Sequence, residues 1–131
     1  MSEHLETVKG HVLDLGLTIT AENEADDLVV VEDEDNGIKQ LVIDCEPPIV
    51  ILEQLIGDVP PEPGDLFTRL LQMNNTLVHG AFVLDETGRR IFYRDTLQLA
   101  NLDLNELEGS IRALSLALAE NGAELLTYWK K

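Results

Sequence analysis

Apolar positions in the chain switch between helical and strand spacing, and the switches set out the order of elements. Leu5, Val8, Val12 and Leu15 recur at intervals of three and four, which predicts a helix over residues 3–16 with one apolar face. Ser2 is placed to cap it, Glu3 and Glu6 suit its positive end, and Gly16 stops it. Gly10 costs about 1 kcal/mol against alanine inside a helix, so a close contact or a bend is expected there. Residues 17–20 read as extended or as a short edge piece, and residues 21–27 as an acidic loop. Strands follow at 28–32, 39–45 and 49–55. The turn Asp33-Glu34-Asp35-Asn36-Gly37 separates the first two, and Pro47-Pro48 breaks the chain before the third.

Residues 57–65 form a connection stiffened by Pro60, Pro61 and Pro63, read as a joint inside one domain. A second helix is predicted from Asp65, its expected cap, to Asn74. Leu66, Phe67, Leu70, Leu71 and Met73 make it apolar over more than half its girth, so it must be covered on two sides. Residues 81–84 and 90–94 make a hairpin around Asp85-Glu86-Thr87-Gly88. The last helix is expected at 103–120. Asp103 and Glu106 make a capping-box-like start, Leu104, Leu107, Ile111, Leu114 and Leu118 a core stripe, and Asn121-Gly122 the close. The tail, residues 123–131, reads as a last helical turn or a strand, with Tyr128 and Trp129 packing back. The order is helix, three strands, helix, two strands, helix: an α+β fold in one domain (1–131), with an antiparallel or mixed sheet of about five strands and three helices.

Charge narrows the function. The formal net charge is −16, and eleven acids against one base, Lys9, fall in residues 1–37. Such a chain repels nucleic-acid backbones and anionic membranes, so neither is an expected partner. A basic or amphipathic partner segment suits the acidic front; a merely solvated face is the simpler reading. No apolar run approaches the ~18 residues of a membrane span, and Met1-Ser2-Glu3-His4 lacks a signal-peptide core, which together point to the cytoplasm.

Candidate chemistry is sparse. Cys45, the single cysteine, ends an apolar run with no base nearby in sequence, so it reads as a buried small side chain. His4 and His11 share a helix face about 10 Å apart, too far to grip one metal. His79 has no Ser or Asp arrangement that makes a triad. Aligning Gly37 with an EF-hand glycine puts Ile43 where a bidentate glutamate is required, so the acidic turn reads as a hairpin. No Gly-rich phosphate cradle occurs. Arg89, Arg90 and Arg94 form a small basic cluster, either solvated or a docking point for an acidic partner. No enzyme and no cofactor are expected. What remains is apolar surface: residues 28–31 and 49–52 do not alternate, so the sheet is covered on both faces or keeps one for another chain.

Three short segments carry a family resemblance: Leu15-Gly16-Leu17 at the end of the first helix; Leu70-Leu71-Gln72-Met73-Asn74, a "Leu-Leu-x-x-Asn" helix end; and Gly80-Ala81-Phe82-Val83-Leu84-Asp85 with Gly88, leading to a "Leu-x-x-Leu" entry within 97–107. With the element order, these resemble the class I type III secretion chaperones of the Tir-chaperone (CesT) type and the related YbjN-like proteins. The resemblance implies a small, acidic, cytoplasmic homodimer that holds an extended client segment against apolar patches without ATP. The runner-up it implies is a regulatory adaptor of the YbjN-like kind, binding a folded stress-response or membrane-associated partner. On this reading Val29, Val31, Leu41 and Ile43 are the expected partner-binding residues. Phe67, Leu70, Leu71 and Phe92 are the expected dimer interface, and a charge at Leu70 is expected to give monomers or aggregate.

Overall fold

In the computed structural model, which describes residues 2–130, the elements run α1 (Glu3–Asp14), β1 (Thr18–Asn23), β2 (Leu28–Asp33), a single 3₁₀ turn (Glu34–Asn36), β3 (Ile38–Glu46), β4 (Ile49–Asp58), α2 (Leu66–Asn74), β5 (Ala81–Leu84), β6 (Arg90–Gln98) and α3 (Leu104–Trp129). The strands form one six-stranded antiparallel sheet in the order β1-β2-β3-β4-β6-β5. The fold class and element order are those predicted, with one strand more. The addition is β1, whose residues TITAEN are almost all exposed. An edge strand with so little to bury leaves no apolar alternation, and its second half reads as loop.

Local chemistry explains the element ends. Ser2 Oγ accepts from the Leu5 N–H at 3.0 Å and Asp103 accepts from the Glu106 N–H at 2.8 Å, so both predicted caps form. Asp65 does not cap α2; its carboxylate accepts instead from the Tyr128 hydroxyl at 2.7 Å, tying α2 to the end of α3. Helix α3 passes straight through Asn121-Gly122 to Trp129. Two anchors hold its last turns down, outweighing the local break signal: Tyr128 on Asp65, and the Trp129 Nε1–H on the Asp58 carbonyl at 2.6 Å. Lys131, the end of the predicted tail, lies outside the described residues. A Cβ at Gly10 would meet nothing within 4 Å, so the expected close contact is absent there. Gly80 is different: at φ +71°, a Cβ would collide with the Tyr93 phenol.

Helices α1 and α3 lie on one face of the sheet, with α2 beside them against β5. The core between the layers holds Leu5, Val8 and Val12 of α1, Val29, Val31, Ile38, Leu41, Ile43, Val50, Leu52, Ile91 and Tyr93 of the sheet, and Leu107, Ile111 and Leu114 of α3. Each strand alternates, so what one residue turns to the helices its neighbour turns away. A buried polar side chain of the sheet on the helix side is Gln54, which accepts from the Lys39 N–H at 3.0 Å and donates to the Gly37 carbonyl at 3.1 Å. It stitches β4 to the turn where the β2–β3 register slips.

The two sheet edges differ. At β5 the side chain of Asn74, the last residue of α2, reaches the strand as a neighbouring backbone would. Its Nδ2 donates to the Phe82 carbonyl at 3.1 Å, and its Oδ1 accepts from the Phe82 N–H at 2.8 Å. At β1 the edge is bent by a bulge between Ile19 and Ala21 but carries no such cover.

Candidate protein-binding surfaces

The four residues expected to receive a partner lie on the covered face. Val29, Val31, Leu41 and Ile43 are at most 1% exposed and pack under the helices. This corrects the assignment: β2 and β3 do present apolar residues on both faces, but these four belong to the helix side. A partner could reach them only by displacing α1 or α3.

The other face is open. Its residues fall into cross-strand rows fixed by the register. Val30, Val42, Glu53 and Arg94 make one row; Leu28, Asp44, Ile51 and Thr96 a second; Leu55, Phe92 and Val83 a third. Leu55 is half exposed, while Val42, Ile51 and Phe92 are partly shielded by one another. Together with Glu32, Glu34, Lys39, Gln40, Asp44 and Glu53 these side chains line a shallow hollow of about 600 Å³. No helix crosses it.

The expected dimer residues fall in three places. Leu70 points into the core with Leu66 and Met73. Phe67 and Leu71, four apart on α2, make an exposed apolar pair, Leu71 at 72% exposure. Phe92 lies on the open sheet face, away from the helix layer. A charge at Leu70 therefore attacks the core, whereas a charge at Leu71 probes the surface.

The titratable groups set the chemistry of these surfaces. Asp44, in the row beside Val42 and Glu53 on the open face, is flanked by Leu28 and Ile51, and its Oδ1 is shielded from solvent without a hydrogen-bond partner. Burial, then the charge of Glu46 and a side-chain hydrogen bond with it, then the charges of Asp26 and Asp27, push its pKa above the usual aspartate value. The Cys45 thiol is buried, and burial with the Asp27 and Asp44 charges raises its pKa to about 11, so at neutral pH it stays a protonated core side chain. The His79 backbone carbonyl accepts from the Tyr93 hydroxyl at 2.6 Å. Among the described residues no three His, Cys, Asp or Glu side chains converge as a metal site, and no helix is long and apolar enough to cross a membrane.

Sequence reasoning missed Asn74 and Asp44. Asn74 reads as a helix terminator, and although it and Phe82 each fall in a segment that carries the family resemblance, nothing in the sequence links the two. Asp44 sits one residue before Cys45 in an apolar strand, and that interruption was the available signal.

A three-helix layer covers one face of an antiparallel sheet, and the other face is open and partly apolar. The family model CesT_Tir_1 matches residues 1–131, and the chain belongs to this family. Among solved structures, YbjN of E. coli, titled a proposed transcription regulator, is similar at TM-score 0.71 with 16% identity, covering 92% of both chains. The Yersinia pestis type III secretion chaperone SycH, in complex with a stable fragment of YscM2, is similar at TM-score 0.63 with 13% identity, covering 88% of this chain and 98% of that one. The HopA1-SchA chaperone-effector complex gives TM-score 0.62 with 12% identity, covering 87% of this chain and 89% of that one. No curated protein matches the sequence. At these identities the structural likenesses define the fold.

Proposed function

We propose that this protein is a non-enzymatic holder of a client polypeptide, working in the cytoplasm as a homodimer without ATP. The observation that carries the reading is the open sheet face: Val42, Ile51, Leu55 and Phe92 line a hollow that no element among the described residues covers. A face of this kind suits an extended or helical segment of another protein. Family membership and the likeness to chaperones seen with a partner support the same use. For the dimer, the Phe67–Leu71 pair on α2 is the exposed apolar candidate, Phe92 passing to the client face. The net charge of −16 keeps the unliganded dimer soluble.

The second reading, a regulatory adaptor that binds one folded partner, is favoured by the higher TM-score to YbjN. A photo-crosslinking residue placed at Ile51, in the protein's own cells, separates the two. Crosslinks confined to one extended or disordered segment of a companion support client holding. Crosslinks spread over a folded surface support the adaptor. Absence of crosslinks at Ile51, with crosslinks at an exposed position of α1 such as Leu13, would remove the open face from the reading. Light scattering tests the dimer: Leu71→Glu should stay folded and become monomeric, while Leu70→Glu should lose its fold.

A further inference from the structure

The open face is not uniformly apolar, and its charges are one-sided. Glu32, Glu34, Asp44 and Glu53 line the hollow against a single lining cation, Lys39. Arg94, in register beside Glu53, stands 3.9 Å from it, a long contact between two partly exposed groups. Asp44 is the most committed of these acids. It lies between Leu28 and Ile51 on adjacent strands, with one carboxylate oxygen hidden from water and unpaired. Carboxylates from Glu46 on its own strand and Asp26 and Asp27 in the β1–β2 turn face it. Its one side-chain hydrogen-bonding neighbour is Glu46, another acid, so no cation offsets its desolvation.

Resting on the client-holding reading above, we propose that the open face selects apolar segments that carry a lysine or arginine, the cation seating on Asp44 between Leu28 and Ile51. A second copy of this chain is the poorer occupant. A twofold pairing of this face would set Asp44 and Glu53 against the acids of a molecule that itself carries −16. A segment that is apolar without a cation would bury Asp44 with no counter-charge.

The test uses three dye-labelled 12-residue synthetic peptides that alternate valine and leucine with serine. They differ at one central position: lysine, norleucine or glutamate. Binding is read by fluorescence anisotropy at about 150 mM salt, where long-range attraction to the overall charge is damped. The wild-type protein should bind the lysine peptide about tenfold or more tightly than the norleucine peptide, and the glutamate peptide least. Asp44→Asn should abolish the lysine preference while norleucine binding holds or improves. Glu120→Gln, which removes the same charge on exposed α3 surface, should leave the preference intact. Ile51→Glu, checked for folding by circular dichroism, should lose all three. Equal wild-type affinity for lysine and norleucine peptides overturns the inference and leaves client holding standing. A lysine preference that survives Asp44→Asn overturns it as well. No binding of any peptide by the wild type overturns the inference and, with silent crosslinking at Ile51, the client face too.

Discussion

Replacing Asn74 by alanine removes a side chain that stands in for a missing strand. Two bonds go: 3.1 Å from Nδ2 to the Phe82 carbonyl, and 2.8 Å from the Phe82 N–H to Oδ1. Each contributes about 1 kcal/mol net, and a buried group left unpaired costs about 1–3 kcal/mol. Phe82 is 4% exposed, so its backbone gains little from water when Asn74 is cut back. A loss of roughly 2–3 kcal/mol follows, a large part of the 5–15 kcal/mol typical of a domain but short of unfolding it. For a chain of this length that is a fall of roughly 6–15 °C in Tm. Urea denaturation should show a lower midpoint at unchanged slope, and hydrogen exchange should show the Phe82 amide losing protection before the β4–β6 amides. Asn74→Asp sharpens the test. Ionised, it still accepts from the Phe82 N–H but sets an oxygen against the carbonyl; protonated, it donates again. Its deficit should therefore shrink on acidification, while that of the alanine variant follows the wild type. A loss below about 0.5 kcal/mol, with the Phe82 amide as protected as before, would refute the clamp.

Gly10→Ala and Gly122→Ala should each raise stability by about 0.5–1 kcal/mol in thermal melts, because both lie inside helices with nothing within 4 Å of the added Cβ. Glu124 holds Arg69 through two bonds, 2.6 and 2.8 Å, and that hydrogen bonding, with the guanidinium charge, lowers its pKa below 4.5. Its contribution is complete above 4.5 and is lost as pH falls through the depressed folded value. Glu124→Gln should melt lower than wild type at pH 7, the gap closing in acid. Asp44 has the opposite sign: its pKa is raised above 3.8, so ionisation penalises the folded state as pH rises through the raised value. Asp44→Asn should melt higher than wild type at pH 7, with the difference vanishing toward pH 3.8. A variant that melts lower at neutral pH would mean that the ionised Asp44 is stabilised in the fold.

Where burial is one-sided and regular, the sequence was informative. The faces of α1 and α3, the caps at Ser2 and Asp103, and the hairpin 81–94 all follow from periodicity and turn chemistry. It failed where tertiary contacts overrule local signals. Asn121-Gly122 reads as a helix end, yet Tyr128 and Trp129 carry α3 two turns further. Asp65 reads as a cap and serves as an acceptor for a residue 63 positions away. Strand β1 has no apolar pattern because it buries almost nothing. For the binding surfaces, density of Val, Ile and Leu in β2–β4 revealed that both faces of the sheet are apolar. It could not say which face the helices take, since that depends on how α1 and α3 return across the sheet. Val29, Val31, Leu41 and Ile43 were accordingly placed on the wrong side.

The unequal edges of the sheet set a valence. An open-ended fibre built by strand addition needs two reactive edges per molecule, one to receive and one to offer. With Asn74 occupying β5, the uncovered edge is β1. A unit with one joining edge can cap a partner's strand or pair with a single copy of itself, and there growth stops. The molecule can thus present an apolar sheet face to other chains without seeding its own polymer.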